Sequence, residues 1–367
     1  MIYKVISFYK YTRIDNPENL SKELKTICIK LKILGRILVS EEGINAAVSG
    51  TKERIKNLKK VLKQKFANLT FREQNCKNNA YHKLVVRPRK EIVVFGKKVN
   101  LNKTGKHLSP KEFNKTIKQK NVVILDARND YEYKVGKFEK AIELGIKTFK
   151  EFPKKIKKIE QLKNKKIVMY CTGGIRCEKA SAFLKEKGFK HVYQLQGGII
   201  NYANKSSKDQ FKGTCFVFDD RLSAELGEPI SSCEICGNLN DEIINCYNLD
   251  CDKLFVCCKK CQKKMNKNCS EECNKSLRQR KDIKKLKVLG KVENYYQKKK
   301  IALVKVEKGL KTGEKVLFTG KTTSFKDKIK ELRDYDGNKI IKASNGELIT
   351  FPVSQRVRKN DKVCVEI

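Results

Sequence analysis

Over the first 95 residues the spacing of apolar side chains switches between a two-residue and a helical period. The run IYKVISFYK at 2–10 predicts a strand. Beyond Asn16-Pro17, Leu20, Leu24, Ile27, Leu31 and Leu34 fall at helical spacing, and Gly35 is expected to end that helix. GRILVS and INAAVSG predict short strands around a turn at Glu41-Glu42-Gly43. Thr51 then caps a second helix to about Phe66, with further strands near LTFRE and in KLVVRPRKEIVVFG. This βαββαβ order predicts a ferredoxin-like N-terminal domain over 1–95, an antiparallel sheet with two helices on one face.

Residues 96–117, with Gly105 and Pro110, read as a linker. The pattern next becomes VVILDAR, a helix near 148–162, KIVMY, a helix over 177–187 and VYQLQGG. VVIL and KIVMY are short unbroken apolar runs, as in strands covered on both faces of a parallel sheet, so 118–212 predicts an α/β domain. A cysteine-rich module over 213–275 follows. The basic stretch KSLRQRKDIKKLK joins it to 286–367, where KVENYY, IALVKVE, EKVLFTG, ELITFPV and KVCVEI alternate between turns. Five or six such strands predict a small C-terminal β-barrel.

Composition narrows the functional classes. Hydrophobic residues at 40% suffice for cores, which excludes wholesale disorder. No apolar run approaches the roughly 18 residues of a membrane span, and the N-terminus lacks the pattern of a signal peptide. A cytoplasmic protein without a membrane partner is expected. Lys plus Arg is 83 against 41 for Asp plus Glu, a net charge of +42, which points to a polyanionic partner and to RNA first. The 15 cysteines are expected to be thiols in a reducing compartment, nine of them between Cys233 and Cys273.

The candidate chemistry lies where KIVMY runs into CTGGIRCEKASAFLKEKG. Cys171 is at a strand's C-terminal end with a helix following, the edge where parallel sheets bind ligands. Thr172, Gly173, Gly174 and Ile175 form a loop whose N–H groups can converge on one centre, and the helix adds its positive end. Such a nest lowers a thiol pKa and makes Cys171 a nucleophile. Arg176 is expected at the rim as a fixed cation. Cysteine-dependent phosphatases place their arginine one residue further on, so this ring suits a sulfur or oxygen adduct better than phosphate.

The segment 121–212 resembles a rhodanese domain. NVVILDARNDYEY matches the Asp-x-Arg-x-x-x-Glu signature at Asp126, Arg128 and Glu132, and CTGGIR matches the six-residue active-site loop. The resemblance implies a persulfide-forming role for Cys171; Asp126 and Arg128 are expected to brace the loop. To about residue 275 the chain resembles the narrower family of rhodanese-like tRNA uridine hydroxylases. The resemblance rests on GRILVSEEGINAAVSG, VRPRKEIV, YCTGGIRCEKASAFL, QLQGGI, FKGTCFVFDDR and the cysteines beyond. It implies oxygen-dependent conversion of wobble uridine 34 to 5-hydroxyuridine, with molecular oxygen as co-substrate and tRNA as partner. Electron donor, tRNA set and oligomeric state stay open. Cys177 belongs to that string, either as a resolving thiol or as a small residue of the first helical turn.

One chemical route is covalent. A thiolate added to C6 of uracil makes C5 electron-rich, ready for an oxygen electrophile, while Arg176 and the loop amides stabilise the enolate or the thiolate. The alternatives are a sulfurtransferase carrying a persulfide on Cys171, and a non-catalytic RNA-binding protein.

Cys233, Cys236, Cys258 and Cys261 form two CxxC knuckles suited to tetrahedral zinc; Cys246, Cys251, Cys269 and Cys273 could supply an interleaved second site. An iron–sulfur cluster or free reducing thiols compete with structural zinc. Cys257 could replace Cys258. Arg72, Arg87 and Arg89 near strand ends are candidate tRNA contacts, beside Tyr81 and His82. His82 and His107 have no metal-ligand partner in sequence. Residues 286–367 resemble the translation-factor-like barrel of the collagenase-like peptidase family at Gly290-Lys291-Val292, Leu310-Lys311-Thr312-Gly313-Glu314, Gly320-Lys321-Thr322-Thr323 and Asn360-Asp361-Lys362-Val363. That implies a docking module for RNA or protein.

Overall fold

The computed structural model describes residues 2–206, 210–281 and 285–366. It divides into two compact units, Met1–Ser232 with Leu239–Glu242, and Cys233–Asn238 with Ile243–Ile367.

The first unit opens with β1 (Tyr3–Tyr11), α1 (Pro17–Lys30), β2 (Leu34–Ser40), β3 (Gly43–Thr51), α2 (Lys52–Lys65), β4 (Arg72–Cys76) and β5 (Leu84–Pro88). The sheet runs β4-β1-β3-β2-β5. Along β4-β1-β3-β2 each neighbouring pair is antiparallel, as expected for a ferredoxin-like domain, and β5 adds a parallel edge beside β2. Asn16 caps α1, its side chain accepting the Asn19 N–H at 2.9 Å. The helix stops earlier than its apolar spacing predicts. Lys32 takes a left-handed conformation (φ 50°) and turns the chain, so Leu34 and Gly35 open β2 instead of closing α1. Ile6, Phe8, Leu24, Val48, Leu58 and Leu62 fill the space between helices and sheet.

The stretch expected as a linker is only partly one. It holds β6 (Lys106–Leu108), paired in parallel with a later strand, and α3 (Pro110–Ile117). Ser109 and Glu112 cap α3 reciprocally, and Pro110 starts the helix, where its missing N–H costs nothing. Then come β7 (Val122–Asp126), α4 (Asp130–Val135), β8 (Gly136–Phe138), α5 (Phe152–Lys155), β9 (Lys166–Tyr170), α6 (Ile175–Glu186), β10 (His191–Leu195) and α7 (Gly198–Lys205). The sheet β6-β10-β9-β7 is parallel throughout. The helix expected near 148–162 is broken into α5 between two 3-10 turns, but Phe149, Phe152, Ile156 and Ile159 still enter the core.

Every side chain of α6 from Arg176 to Leu184 is buried, because the face that the sheet does not cover is shared between the N-terminal domain, through Tyr9, Glu42 and Glu91, and the segment around Leu101–Lys103 and Gly105. Lys179 makes this possible. Its ammonium donates to Glu42 at 2.9 Å, Glu91 at 2.7 Å and the Val93 carbonyl at 3.1 Å.

In the second unit, Ile243–Asn245 and Leu254–Val256 form a hairpin amid the cysteines. Beyond it lies a β domain of an eight-stranded sheet and a two-stranded pair, Leu310–Lys311 with Lys342–Ala343, whose main apolar core includes Val292, Val304, Phe318, Ile349, Phe351 and Val363. All five expected runs are strands; Ser324–Lys328, Leu332–Arg333 and Lys339–Ile340 extend the sheet. These three escape a hydrophobic-pattern reading because charged residues fill them. Part of the basic stretch before this domain, 282–284, lies outside the described residues. No helix among the described residues is long and apolar enough to cross a membrane.

Removing the Lys179 charge leaves Glu42 and Glu91 facing each other beside a buried helix. Lys179→Met is expected to lower the unfolding free energy by about 2–3 kcal/mol in urea titration. A loss below about 0.5 kcal/mol would show that the clamp adds nothing.

Candidate active site

β9 delivers Cys171 to the C-terminal edge of the parallel sheet, and Thr172, Gly173 and Gly174 turn the chain into α6. Cys171 is completely buried, and the Gly174 N–H donates to its Sγ at 3.1 Å. Burial alone would push the thiol up. The Cys177 thiol, the Arg176 charge and the N–H groups of Cys177 and Gly174 outweigh burial and bring Cys171 down to about 6. Burial and the neighbouring sulfur push Cys177 far upward. The two shifts run in opposite directions, favouring the thiolate at Cys171 and the thiol at Cys177.

The loop is clamped from beneath. Ile199 and Ile200 N–H groups at the start of α7 donate to the carbonyls of Cys171 (3.0 Å) and Thr172 (3.1 Å). Gly198 (φ +67°) permits that approach: a Cβ there would stand 2.4 Å from the Cys171 carbonyl oxygen.

Arg176 differs from expectation. It is buried, not at the rim, and its guanidinium grips both carboxylate oxygens of Glu132 at 2.6 and 2.8 Å and the Thr172 hydroxyl at 3.1 Å. A carboxylate fully shielded from water needs a cation, and the first turn of α6 supplies it. Burial opposes the Glu132 charge, yet Arg176 holds its carboxyl below the ordinary range. Asp126 and Arg128 lie one layer deeper: Arg128 Nε reaches both Asp126 oxygens at 3.0 Å, and Nη2 reaches the Gly136 carbonyl at 2.5 Å. Neither has a hydrogen bond to the loop among the described residues. Glu132, which the sequence marks only as part of the signature, is the residue that bonds the loop directly.

Glu178 is a further buried carboxylate. It accepts hydrogen bonds from Tyr9 (2.8 Å) and Gln194 (3.0 Å) and pairs with His107 (2.9 Å). Burial raises it, but these partners, His107 foremost, keep it below the usual range; His107 is raised in return. No local pattern marks Tyr9 and Glu178 as site residues, and none shows the partner of His107.

A cavity of about 650 Å³ opens over the loop between the two domains of this unit. Thr172, Gly173, Ile175 and Arg176 form part of its wall, while the fully buried Cys171 at the start of the same loop is not among the lining residues. Arg72 and Arg89 line it. Arg72 donates to the Gly197 carbonyl at 3.0 Å and lies over the Tyr9 ring. Arg87 is exposed on β5 outside the lining residues.

In the second unit the cysteines form two groups, Cys233, Cys236, Cys258 and Cys261, and Cys246, Cys251, Cys269 and Cys273. Within each, all Sγ atoms lie within 4.8 Å of one another, and either group could hold a metal ion. Cys258 is in the first tetrad, and Cys257 belongs to neither.

A low-pKa cysteine cradled by loop amides at the end of a parallel strand defines a rhodanese-type site. Family models agree: a UPF0176 acylphosphatase-like domain matches residues 3–92, a rhodanese-like domain 109–205, and a rhodanese C-terminal domain 212–274. A tRNA uridine(34) hydroxylase of Cytophaga hutchinsonii is 43% identical over 279 residues, covering 74% of this chain and 89% of the relative. Another from Chlamydia felis is 39% identical over 287 residues, covering 75% and 88%. The chain belongs to the tRNA uridine(34) hydroxylase family. Among solved structures, the C-terminal domain of a putative U32 peptidase from Geobacillus thermoleovorans is 24% identical, covering 23% of this chain and 93% of its own, with a TM-score of 0.21.

If Cys177 is the thiol donor that holds the charge on Cys171, alkylation of Cys171 should rise as pH passes about 6. In Cys177→Ala the midpoint should move upward, toward that of an ordinary thiol; in Cys177→Ser the hydroxyl should keep it close to wild type. Peptide mass spectrometry after iodoacetamide pulses reads both, and an unmoved midpoint in Cys177→Ala would refute the role.

Proposed function

We propose that this chain hydroxylates uridine 34 of tRNA to 5-hydroxyuridine, with molecular oxygen as co-substrate and Cys171 as the nucleophile. The observation that carries this reading is a buried cysteine, brought down to about 6 by its surroundings, at the start of a loop that walls a cavity large enough for a nucleotide. Cys171 adds to C6 of the uracil, which raises electron density at C5 for attack on oxygen. Gly174 N–H and the Cys177 thiol stabilise the sulfur before addition and after release. Arg176 acts through its charge on the sulfur, its hydrogen bonds being engaged by Glu132 and Thr172. One oxygen atom enters the base and the other leaves as water; the two electrons this consumes come from an external reductant.

The same thiolate would also stabilise a persulfide, so the test carries both assays. Purified protein with unmodified tRNA, air and a reductant should yield 5-hydroxyuridine by nucleoside mass spectrometry, and Cys171→Ser should yield at least about a thousandfold less. Thiosulfate-to-cyanide sulfur transfer without 5-hydroxyuridine would move the assignment to a sulfurtransferase.

Zinc fits the two cysteine tetrads. Tetrahedral Zn–S bonds of about 2.3 Å set sulfurs about 3.8 Å apart. Cys236 and Cys258 stand at 3.8 Å, and Cys251 and Cys269, like Cys269 and Cys273, at 3.7 Å. Bound zinc would tie together a module with few large apolar residues. Elemental analysis should find two zinc ions per chain, falling to one in Cys236→Ser or Cys251→Ser. A brown, iron-rich protein would replace zinc by an iron–sulfur cluster. The C-terminal β domain is read as a docking module for tRNA or a protein, and a cytoplasmic location is part of the same proposal.

A further inference from the structure

We propose that the cavity over the Cys171 loop receives one extruded pyrimidine nucleotide, with Phe218 as the face on which its base stacks and Arg36 and Arg89 as the cations that meet its flanking phosphates. This rests on the hydroxylase reading and deepens it, because a base stacked in an anticodon loop must be turned out before a thiolate can attack its C6.

Phe218 is the first observation. Three aromatic side chains line the cavity; Phe149 is buried, Tyr81 is half-buried, and Phe218 is 54% exposed. An apolar ring left open beside a basic cavity is what stacking on a nucleobase uses. The Arg176 guanidinium lies 5.6 Å from the ring, and Phe216 meets it edge to face at 5.2 Å.

The second observation is that the turn carrying the ring is rigidly tied. Val217 N–H donates to the Leu222 carbonyl at 3.0 Å, and Asp220 N–H to the Ala80 carbonyl at 2.9 Å. Arg221 grips Asp219 with Nε at 2.8 Å and Nη2 at 2.6 Å, and Nη2 also reaches Gln74 at 3.1 Å. A stacking face held this way loses little freedom when a base arrives.

The arginines supply the third. Arg72, Arg176 and Arg221 line the cavity with their guanidiniums already engaged by protein groups. Arg36 and Arg89 also line it, are exposed, and make no side-chain hydrogen bond or ion pair among the described residues. Unpaired guanidiniums at a cavity wall suit phosphate oxygens.

The test uses the full-length protein and tRNA, plus an anticodon stem-loop with a fluorescent pyrimidine at position 34. Binding to wild type should change the fluorescence as the base leaves its stack. Phe218→Ala should abolish that change and lower kcat/KM by about 5- to 100-fold, while Phe218→Tyr stays within about threefold of wild type. Arg36→Gln and Arg89→Gln should each flatten the salt dependence of tRNA binding by about 0.7–0.9 in logarithmic slope. Melting temperature controls for folding. If folded Phe218→Ala kept wild-type kcat/KM and fluorescence, the stacking role would be wrong; unchanged salt slopes would remove the phosphate role. A wild-type protein that makes no 5-hydroxyuridine would instead remove the hydroxylase reading, and the fluorescence would still report whether a base enters.

Discussion

A negative sulfur enclosed by protein must be compensated where it stands, and much of the first unit is arranged around that requirement. Desolvation disfavours the Cys171 thiolate, and the Cys177 thiol, two amides and Arg176 reverse the balance. Arg176 is itself buried and needs Glu132; Glu132 in turn accepts the Thr172 hydroxyl and the Asn129 N–H that begins α4. The chain of compensation thus runs from the sulfur through α6 to the loop after β7. It explains why an Arg so close to the nucleophile is not a free cation at the rim.

The N-terminal domain completes this enclosure. Tyr9 reaches Glu178 next to Cys177, Arg72 holds the Gly197 carbonyl, and Lys179 ties α6 to Glu42 and Glu91. The same contact forms one wall of the cavity. A rhodanese domain by itself would have the nest without this wall.

Much of this arrangement is legible in the amino-acid sequence. Alternation and helical spacing mark β1, β3, α2 and β9, because one face or both faces of each are buried and leave a periodic trace. The strand–Cys–Gly-rich loop–helix order locates Cys171 for the same reason. Arg176 departs from expectation because sequence shows a charge but not its partner 44 residues away. The helix in 96–117 carries its own start signal, Ser109-Pro110 with Glu112, but Gly105 and Pro110 also suit a linker. Phe218 lies inside FKGTCFVFDDR, where nothing local separates an exposed phenylalanine from buried Phe216 two residues earlier. Lys179, Glu42 and Glu91 are far apart in the chain; their meeting is a property of the assembled domains alone.

The central claim, that the buried thiolate of Cys171 attacks a uracil base, has a direct test. A tRNA carrying 5-fluorouridine at position 34 blocks the loss of a C5 proton and should trap the C6–sulfur bond. After incubation and digestion, the account predicts a nucleotide mass on the peptide that contains Cys171. A protein that hydroxylates normal tRNA yet gives no adduct, or gives one on another cysteine, would contradict it.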